Sequence, residues 1–372
     1  MNQQTTGVIL VRHGRSTYND QGLFQGCCDD SVLTDKGKLE AHRTGIALQN
    51  IAIDAIFSSP LQRTKQTAQE ICSVINCSLT IKTHPNLQEV DLPGWEGLSF
   101  QDVRENLADD YRIWQEFPDQ FQMSSSLTTN KPEYPVLNLY KRAEQFWQEI
   151  LPYYQGKTIL IVSHGGTIRA LISTALGIKS DRYHFLQQSN CGISILHFDS
   201  QNSKKSCLTA MNVTSYLGET LPKLKEGKTG IRLILLPDNH LKTNQFQALI
   251  KSLQPVNLNC CFHNAQAKFL PIIQSLKIDL IRLPNSQHYF LDNCYQRIKF
   301  NAQFSSLYTG SVIYTGLVIA DTRIIQSALV EILGSSINPH SLILQTGTMT
   351  IIHYPVSTHR PIIQAINFTA IK

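Results

Sequence analysis

No apolar run in this 372-residue chain reaches the ~18 residues of a membrane-spanning helix. The first residues, Met1-Asn2-Gln3-Gln4-Thr5-Thr6, hold neither the basic nor the apolar stretch of a secretory signal. A soluble, cytoplasmic protein with no membrane partner is expected. Lysines and arginines form no run, no aromatic stripe interleaves with them, and the net charge of +5 is scattered. A nucleic-acid partner is therefore not expected. The nine cysteines are an odd number, with two adjacent pairs, Cys27-Cys28 and Cys260-Cys261, and no Cys-x-x-Cys. That spacing suits neither a disulfide framework nor a zinc site, so reduced, mostly buried thiols are expected. The sequons at Asn76, Asn212 and Asn367 then read as accidents of composition. Nothing else points to a metal or a cofactor.

What is present is ample apolar residue, 42%, in a length that suits two domains at ~100–200 residues each. The first half is organised around Val8-Ile9-Leu10-Val11-Arg12-His13-Gly14-Arg15-Ser16-Thr17-Tyr18-Asn19. Four apolar residues predict a strand buried on both faces, as the centre of a parallel sheet requires. Arg12 and His13 then fall at its carboxyl end, where open α/β sheets bind ligands. Gly14 allows close backbone approach, and Ser16 or Thr17 can cap a following helix. A phosphoryl group suits such a place. The planar guanidinium of Arg12 can grip its oxygens, and the His13 imidazole can attack its phosphorus.

Thr34 is the expected N-cap of a helix running to about Gln49. Asp54 to Ser59 is a short strand, and Pro60 opens a helix on which Arg63 and Thr67 share a face. Leu87 to Leu98 is a glycine-rich loop with three acids, Glu89, Asp91 and Glu96. The aromatic residues Tyr111, Trp114, Phe117 and Phe121 are expected to pack in the core. A helix over 139–151 leads to a second central strand, Thr158 to Val162, which ends in Ser163-His164-Gly165-Gly166 before another helix. Strands over 189–198 and 207–214 complete this half.

Arg12-His13-Gly14, Ser59-Pro60-Leu61-Gln62-Arg63-Thr64, Leu87-Gln88-Glu89-Val90 and Ser163-His164-Gly165-Gly166 stand in one order. Together they resemble the histidine phosphatase superfamily, the phosphoglycerate-mutase-like enzymes, over Gly7 to Leu217. The resemblance implies a nucleophilic His13, and phosphate held by Arg12, Asn19, Arg63, His164 and Gly165. It places the general acid at Glu89, which must begin protonated, a state that a covered pocket favours. The insertion after Ser99 would cover that pocket and set substrate choice. Arg15 departs from the family's commoner glutamate or glutamine, and an extra cation at the rim suits a substrate with a second anionic group.

Beyond a linker at 218–229 the pattern begins again. Thr229 to Asp238 echoes Thr6 to His13, and Gly316 to Asp321 echoes the strand before His164. Ile351-Ile352-His353-Tyr354 matches Ile195-Leu196-His197-Phe198, and Ala365 to Thr369 matches Ala210 to Thr214. Such matches in order argue for internal duplication. In this alignment Leu235 and Leu236 replace Arg12 and His13, Asp321 replaces His164, and Lys268 is an approximate substitute for Arg63.

The expected architecture is α/β. Two three-layer α/β/α sandwich domains with mostly parallel sheets span 1–217 and 230–372, phosphoglycerate-mutase-like, the second degenerate. The expected activity is metal-independent hydrolysis of a small sugar or sugar-acid phosphate through a phosphohistidine, with no cofactor. The alternatives are mutase-type transfer, a phosphoserine or broad-specificity phosphatase, and a binding module on a dead phosphatase fold. A small phosphorylated metabolite is the expected partner, with a homodimer through the second domain as a further expectation.

Overall fold

The computed structural model describes residues 5–75, 78–124, 132–199, 205–225, 227–238, 241–263, 269–282, 290–300, 313–358 and 360–369. Lys268, Asn76 and most of the polar stretch at 124–130 lie outside the described residues. The chain divides into two compact units, Met1–His184 with Gln188–Leu208, and Phe185–Gln187 with Thr209–Lys372. Both are α/β, as expected from the buried strands that alternate with helices.

The first unit begins with β1 (Thr5–Arg12), α1 (Thr17–Gln21), α2 (Asp35–Leu48), β2 (Ala55–Ser58), α3 (Gln62–Val74) and β3 (Ile81–Thr83). There follow α4 (Phe100–Asn106), α5 (Ala108–Glu116), a hairpin of β4 (Met123–Ser124) and β5 (Pro132–Glu133), and α6 (Pro135–Ile150). The unit closes with β6 (Thr158–Ser163), α7 (Gly165–Leu176), β7 (Ile193–Asp199) and the start of β8 (Ser206–Val213). Its strand order is β7-β1-β6-β2-β3, with β1, β6, β2 and β3 parallel and β7 antiparallel to β1.

Val8, Leu10, Val11 and Ile159 to Val162 are fully buried, which fits strands covered on both faces. Each such side chain contributes about 1.5–3 kcal/mol relative to exposure. Thr34 does cap α2, accepting from the Gly37 N–H, and Ser16 caps α1 in a capping box with Asn19. The helix expected from Pro60 starts two residues later, at Gln62, and α6 starts at Pro135, four residues before its expected start. Trp114 and Phe121 pack on Trp95 with ring centroids 5.8 and 5.0 Å away, whereas Phe117 is exposed.

The second unit holds the rest of β8, β9 (Gly230–Pro237), α8 (Thr243–Ser252), β10 (Cys260–His263), α9 (Leu270–Gln274) and β11 (Asp279–Arg282). After these come α10 (Phe290–Phe300), β12 (Ile313–Ala320), α11 (Thr322–Leu333), β13 (Met349–Pro355) and β14 (Ile362–Phe368). The expected linker at 218–229 lies inside this unit. Met211 of β8 pairs with Ile366 of β14, and the Asn212 amide donates to Gln364 O while that of Asn367 donates to Thr209 O. Both asparagines adopt left-handed backbone, φ 52° and 55°, and both are buried, so these sequons mark matched structural positions.

The order β13-β9-β12-β10-β11 repeats β7-β1-β6-β2-β3 with the same directions. Asp54 and Asn259 make matching brackets before β2 and β10. The Asp54 N–H donates to Thr158 O and its carboxylate accepts the Thr158 N–H at 2.8 Å; Asn259 does both to Thr315, at 2.8 and 2.7 Å.

These pairings correct the expected alignment of the second unit by two residues. His197 faces Gly7 and His353 faces Arg232, so Gly7 corresponds to Arg232. Thr158 beside Gly7 and Thr315 beside Arg232 give the same answer. Pro237 and Asp238, not Leu235 and Leu236, therefore occupy the places of Arg12 and His13. The His13 N–H donates to Ser163 O at 2.9 Å, and the Asp238 N–H donates likewise to Ala320 O at 3.1 Å. The apolar run Leu233 to Leu236 carries no mark of its own register, which is why the pattern alone misplaced it by two residues. Asp321 does stand where His164 stands, each at the N-cap of a twelve-residue helix.

Candidate active site

β1 delivers Arg12 and His13 to the carboxyl ends of the strands, and β6 delivers His164 beside them through the pairing of Arg12 with Ser163. His13 is buried, and its ring lies edge-on to that of His164 with centroids 5.3 Å apart. Its Nδ1 is 2.8 Å from Gly14 O. A carbonyl only accepts, so Nδ1 carries the proton and a neutral ring keeps its lone pair at Nε2. Packing requires glycine at position 14, because a Cβ there would lie 2.4 Å from Gly37 O. Its N–H donates to Thr67 Oγ1, one turn along α3 from Arg63.

Arg63 is fully buried. Its Nη1 and Nη2 donate to Cys28 O and Gly26 O, both at 2.9 Å, which aims the fork from the first turn of α3. Arg12 Nη1 donates to Gln188 O at 3.0 Å. Burial, opposed by Glu89 and reinforced by Arg169 and Arg63, pushes Arg12 down to about 10, so it stays a cation at neutral pH. Burial also lowers Arg63 from its ordinary value, again opposed by Glu89.

His164 is buried at the start of α7, with Nε2 2.8 Å from Ser59 Oγ. Burial first, then the cations Arg63 and Arg12 and the His13 ring, holds it well below the usual histidine range. It is neutral at pH 7. Ser59 Oγ already accepts the Leu61 N–H, so its hydroxyl is assigned as the donor to Nε2, which puts the proton on Nδ1.

Arg12 Nε, Arg63 Nε and His164 Nδ1 are all buried, and none has a hydrogen-bond partner among the described residues. Buried donors are costly to leave unpaired. Three of them around one imidazole form a cradle with the valence to hold an oxyanion.

The remaining expected residues are placed as follows. Glu89 lies on the amino end of α7, with Oε2 accepting the Gly166 N–H and Oε1 the Thr167 N–H, both at 3.1 Å. A Cβ on Gly166 would meet Glu89 Oε1 at 2.4 Å, so glycine there makes room for the carboxylate. Arg142 donates to the backbone carbonyls of Gln88 and Glu89 and holds the loop from behind. Gly165 leaves space for Arg12, whose Nε would be 3.3 Å from a Cβ. Asn19 uses Oδ1 twice, accepting from the Ser16 N–H and the Asn190 amide. Arg15 is on the rim but is ion-paired with Asp20. Of the two other acids, Glu96 accepts the Cys28 N–H and braces that loop, while Asp91 is exposed. Asn190, Ser59 and Arg142 were not singled out from sequence; only their contacts reveal them. Among the described residues no group of three or more His, Cys, Asp or Glu could hold a metal ion.

A family model described as the histidine phosphatase superfamily, branch 1, matches residues 8–210. The chain belongs to this superfamily. Within it, the chain is 35% identical over 215 residues to a probable 2-carboxy-D-arabinitol-1-phosphatase of Arabidopsis thaliana, a match covering 57% of this chain and 42% of that protein. The 2-carboxy-D-arabinitol-1-phosphatase of Triticum aestivum is 34% identical over 232 residues, 62% of this chain and 45% of that one. The chain thus spans less than half the length of these two plant relatives. Phosphoserine phosphatase 1 of Hydrogenobacter thermophilus is 30% identical over 57% of this chain and 94% of its own length. All of the histidine phosphatase site residues discussed lie inside the matched 8–210.

Proposed function

We propose that the first unit hydrolyses a small phosphomonoester in two steps through a phosphohistidine on His13. The observation that carries this reading is the set of buried donors without a partner among the described residues, Arg12 Nε, Arg63 Nε and His164 Nδ1, around a ring held as its Nδ1–H tautomer. His13 Nε2 attacks phosphorus as the ester P–O bond breaks, and Glu89 gives its proton to the leaving oxygen. Among the described residues Glu89 Oε2 accepts from Gly166 only, so its second lone pair can carry that proton. Water then attacks the phosphohistidine, Glu89 takes the water's proton, and the P–N bond breaks to release phosphate. The two arginines, His164 and the Asn19 amide would hold the equatorial oxygens as charge develops.

The substrate class is a sugar or sugar-acid phosphate, supported by the plant relatives; 2-carboxy-D-arabinitol 1-phosphate is the specific candidate. Phosphoserine is the second reading, favoured by a relative matched over nearly its whole length. Arg15 would meet a carboxylate of either only by exchanging its Asp20 partner. The second unit is, in this reading, a three-layer copy without catalysis. Pro237, Asp238 and Asp321 supply neither the imidazole nor the cations that a phosphohistidine route needs, and a scaffold, lid or homodimer contact is its role. Phosphate release from a panel of sugar phosphates, phosphoserine and phosphoglycerates tests the activity, and rapid quench with labelled substrate tests the intermediate. An acid-labile, base-stable phosphoryl bond on His13 is expected. Label on another residue, or an acid-stable ester, would overturn the assignment.

A further inference from the structure

Arg12, His13 and Gly14 are gripped by one short segment, 188–192. The carbonyl of Gln188 takes Arg12 Nη1, and the Cys191 N–H donates to Arg12 O at 3.0 Å. Between them, Asn190 Nδ2 lies 3.0 Å from His13 O, 3.3 Å from Gly14 O and 2.9 Å from Asn19 Oδ1. All three neighbours are acceptors, so the amide cannot be flipped; its oxygen would face three oxygens. Cys191 is buried with φ 54°, a left-handed turn unusual for a side chain with Cβ. That turn lets the Asn190 amide and the Cys191 N–H grip the same stretch of backbone.

Gly14 O is the shared atom. It accepts from the His13 ring at 2.8 Å and from the Asn190 amide. The direction of that carbonyl decides both which nitrogen of His13 bears the proton and where the other nitrogen points. We propose that Asn190 is a positioning residue: its amide fixes Gly14 O and so aims His13 Nε2. This rests on the reading of His13 as the nucleophile.

Asn190→Asp keeps the shape but turns three attractions into repulsions, and Asn190→Ala removes the donor without adding charge. Displacing a reacting atom by about 1 Å costs on the order of 100-fold. For Asn190→Asp, kcat is expected to fall by about that factor with KM within about threefold, and for Asn190→Ala by a smaller factor. If the aspartate variant does not fold, the alanine variant carries the test. Nitrogen-15 NMR of labelled histidines reads the ring directly: His13 should be the Nδ1–H tautomer in the unaltered chain and a mixture in the variants. Variants that keep that tautomer, with kcat unchanged or with kcat and thermal stability falling together, would overturn the proposal. If the unaltered chain neither hydrolyses phosphomonoesters nor forms a phosphohistidine, the nucleophile reading fails, while the tautomer spectra still decide whether Asn190 orients the ring.

Discussion

His197 and His353 occupy the same place in two copies of one strand ladder, yet Gly7 faces the first and Arg232 the second. His197 stays half-buried, whereas His353 is enclosed and donates to Thr229 O. The strand ends differ in the same way. The first unit presents Arg12, His13 and His164 where the second presents Pro237, Asp238 and Asp321, while the Asp54 and Asn259 brackets and the left-handed Asn212 and Asn367 are kept. Apolar strands and their end brackets suffice for the scaffold. In the proposed reading the chemistry sits in a separable set of residues just beyond the strand ends, which one copy could lose without losing its core.

The largest effect should come from His13→Ala in the full chain, which is expected to abolish phosphate release, while Asp238→Ala is expected to leave it in place because Asp238 belongs to the second unit and not to the histidine site. Residual turnover above background in the first variant would give the second unit an activity of its own. Next is Glu89→Gln, for which the loss of a general acid is worth about 10²–10⁴-fold on alkyl phosphates and far less on p-nitrophenyl phosphate. Equal losses on both substrates would move the acid to Asp91. The corresponding stretch of the second unit, 283–289, lies outside the described residues.

A third expectation concerns acid stability. Burial, opposed by the Thr229 carbonyl and reinforced by Arg232, pushes His353 down to about 4. The unfolded chain takes up that proton near pH 6.5 and the folded chain only near 4, so stability falls as pH drops through this window. The loss totals about 3 kcal/mol once both states are protonated. His353→Gln should flatten urea-unfolding free energies between pH 6.5 and 4. His197→Gln should do so less, since burial lowers His197 only in part. An unchanged slope in the His353 variant would show that the site opens to water. The smallest effect is a matched pair: Asp54→Ala and Asn259→Ala each remove one acceptor from a strand N–H, worth about 1 kcal/mol. Amide exchange at Thr158 and Thr315 should accelerate by the same factor, about fivefold. Unequal factors would mean that the two brackets are alike in geometry only.

His13, Arg12 and His164 were legible because each follows an apolar run that reads as a buried strand, whereas Arg63 on its helix was assigned through the family resemblance. The position of Glu89 was legible, but not its seat on the N–H groups of Gly166 and Thr167, which are 77 and 78 residues away. Asn190 left no trace in the pattern, because an amide is informative only once its acceptors are known.

The amino-acid sequence by itself determined the strands, the helix caps at Ser16 and Thr34, and the order of the motifs, since these depend on local periodicity and local hydrogen bonds. Tertiary structure decided register. Leu233 to Leu236 are equally buried at every step, so sliding β9 by two residues leaves its apolar pattern intact. Only the pairing of Arg232 with Thr315 and His353 sets Pro237 and Asp238 at the strand end. Backbone pairing between distant strands is a property of the folded ladder, and no stretch of uniformly apolar residues encodes it alone.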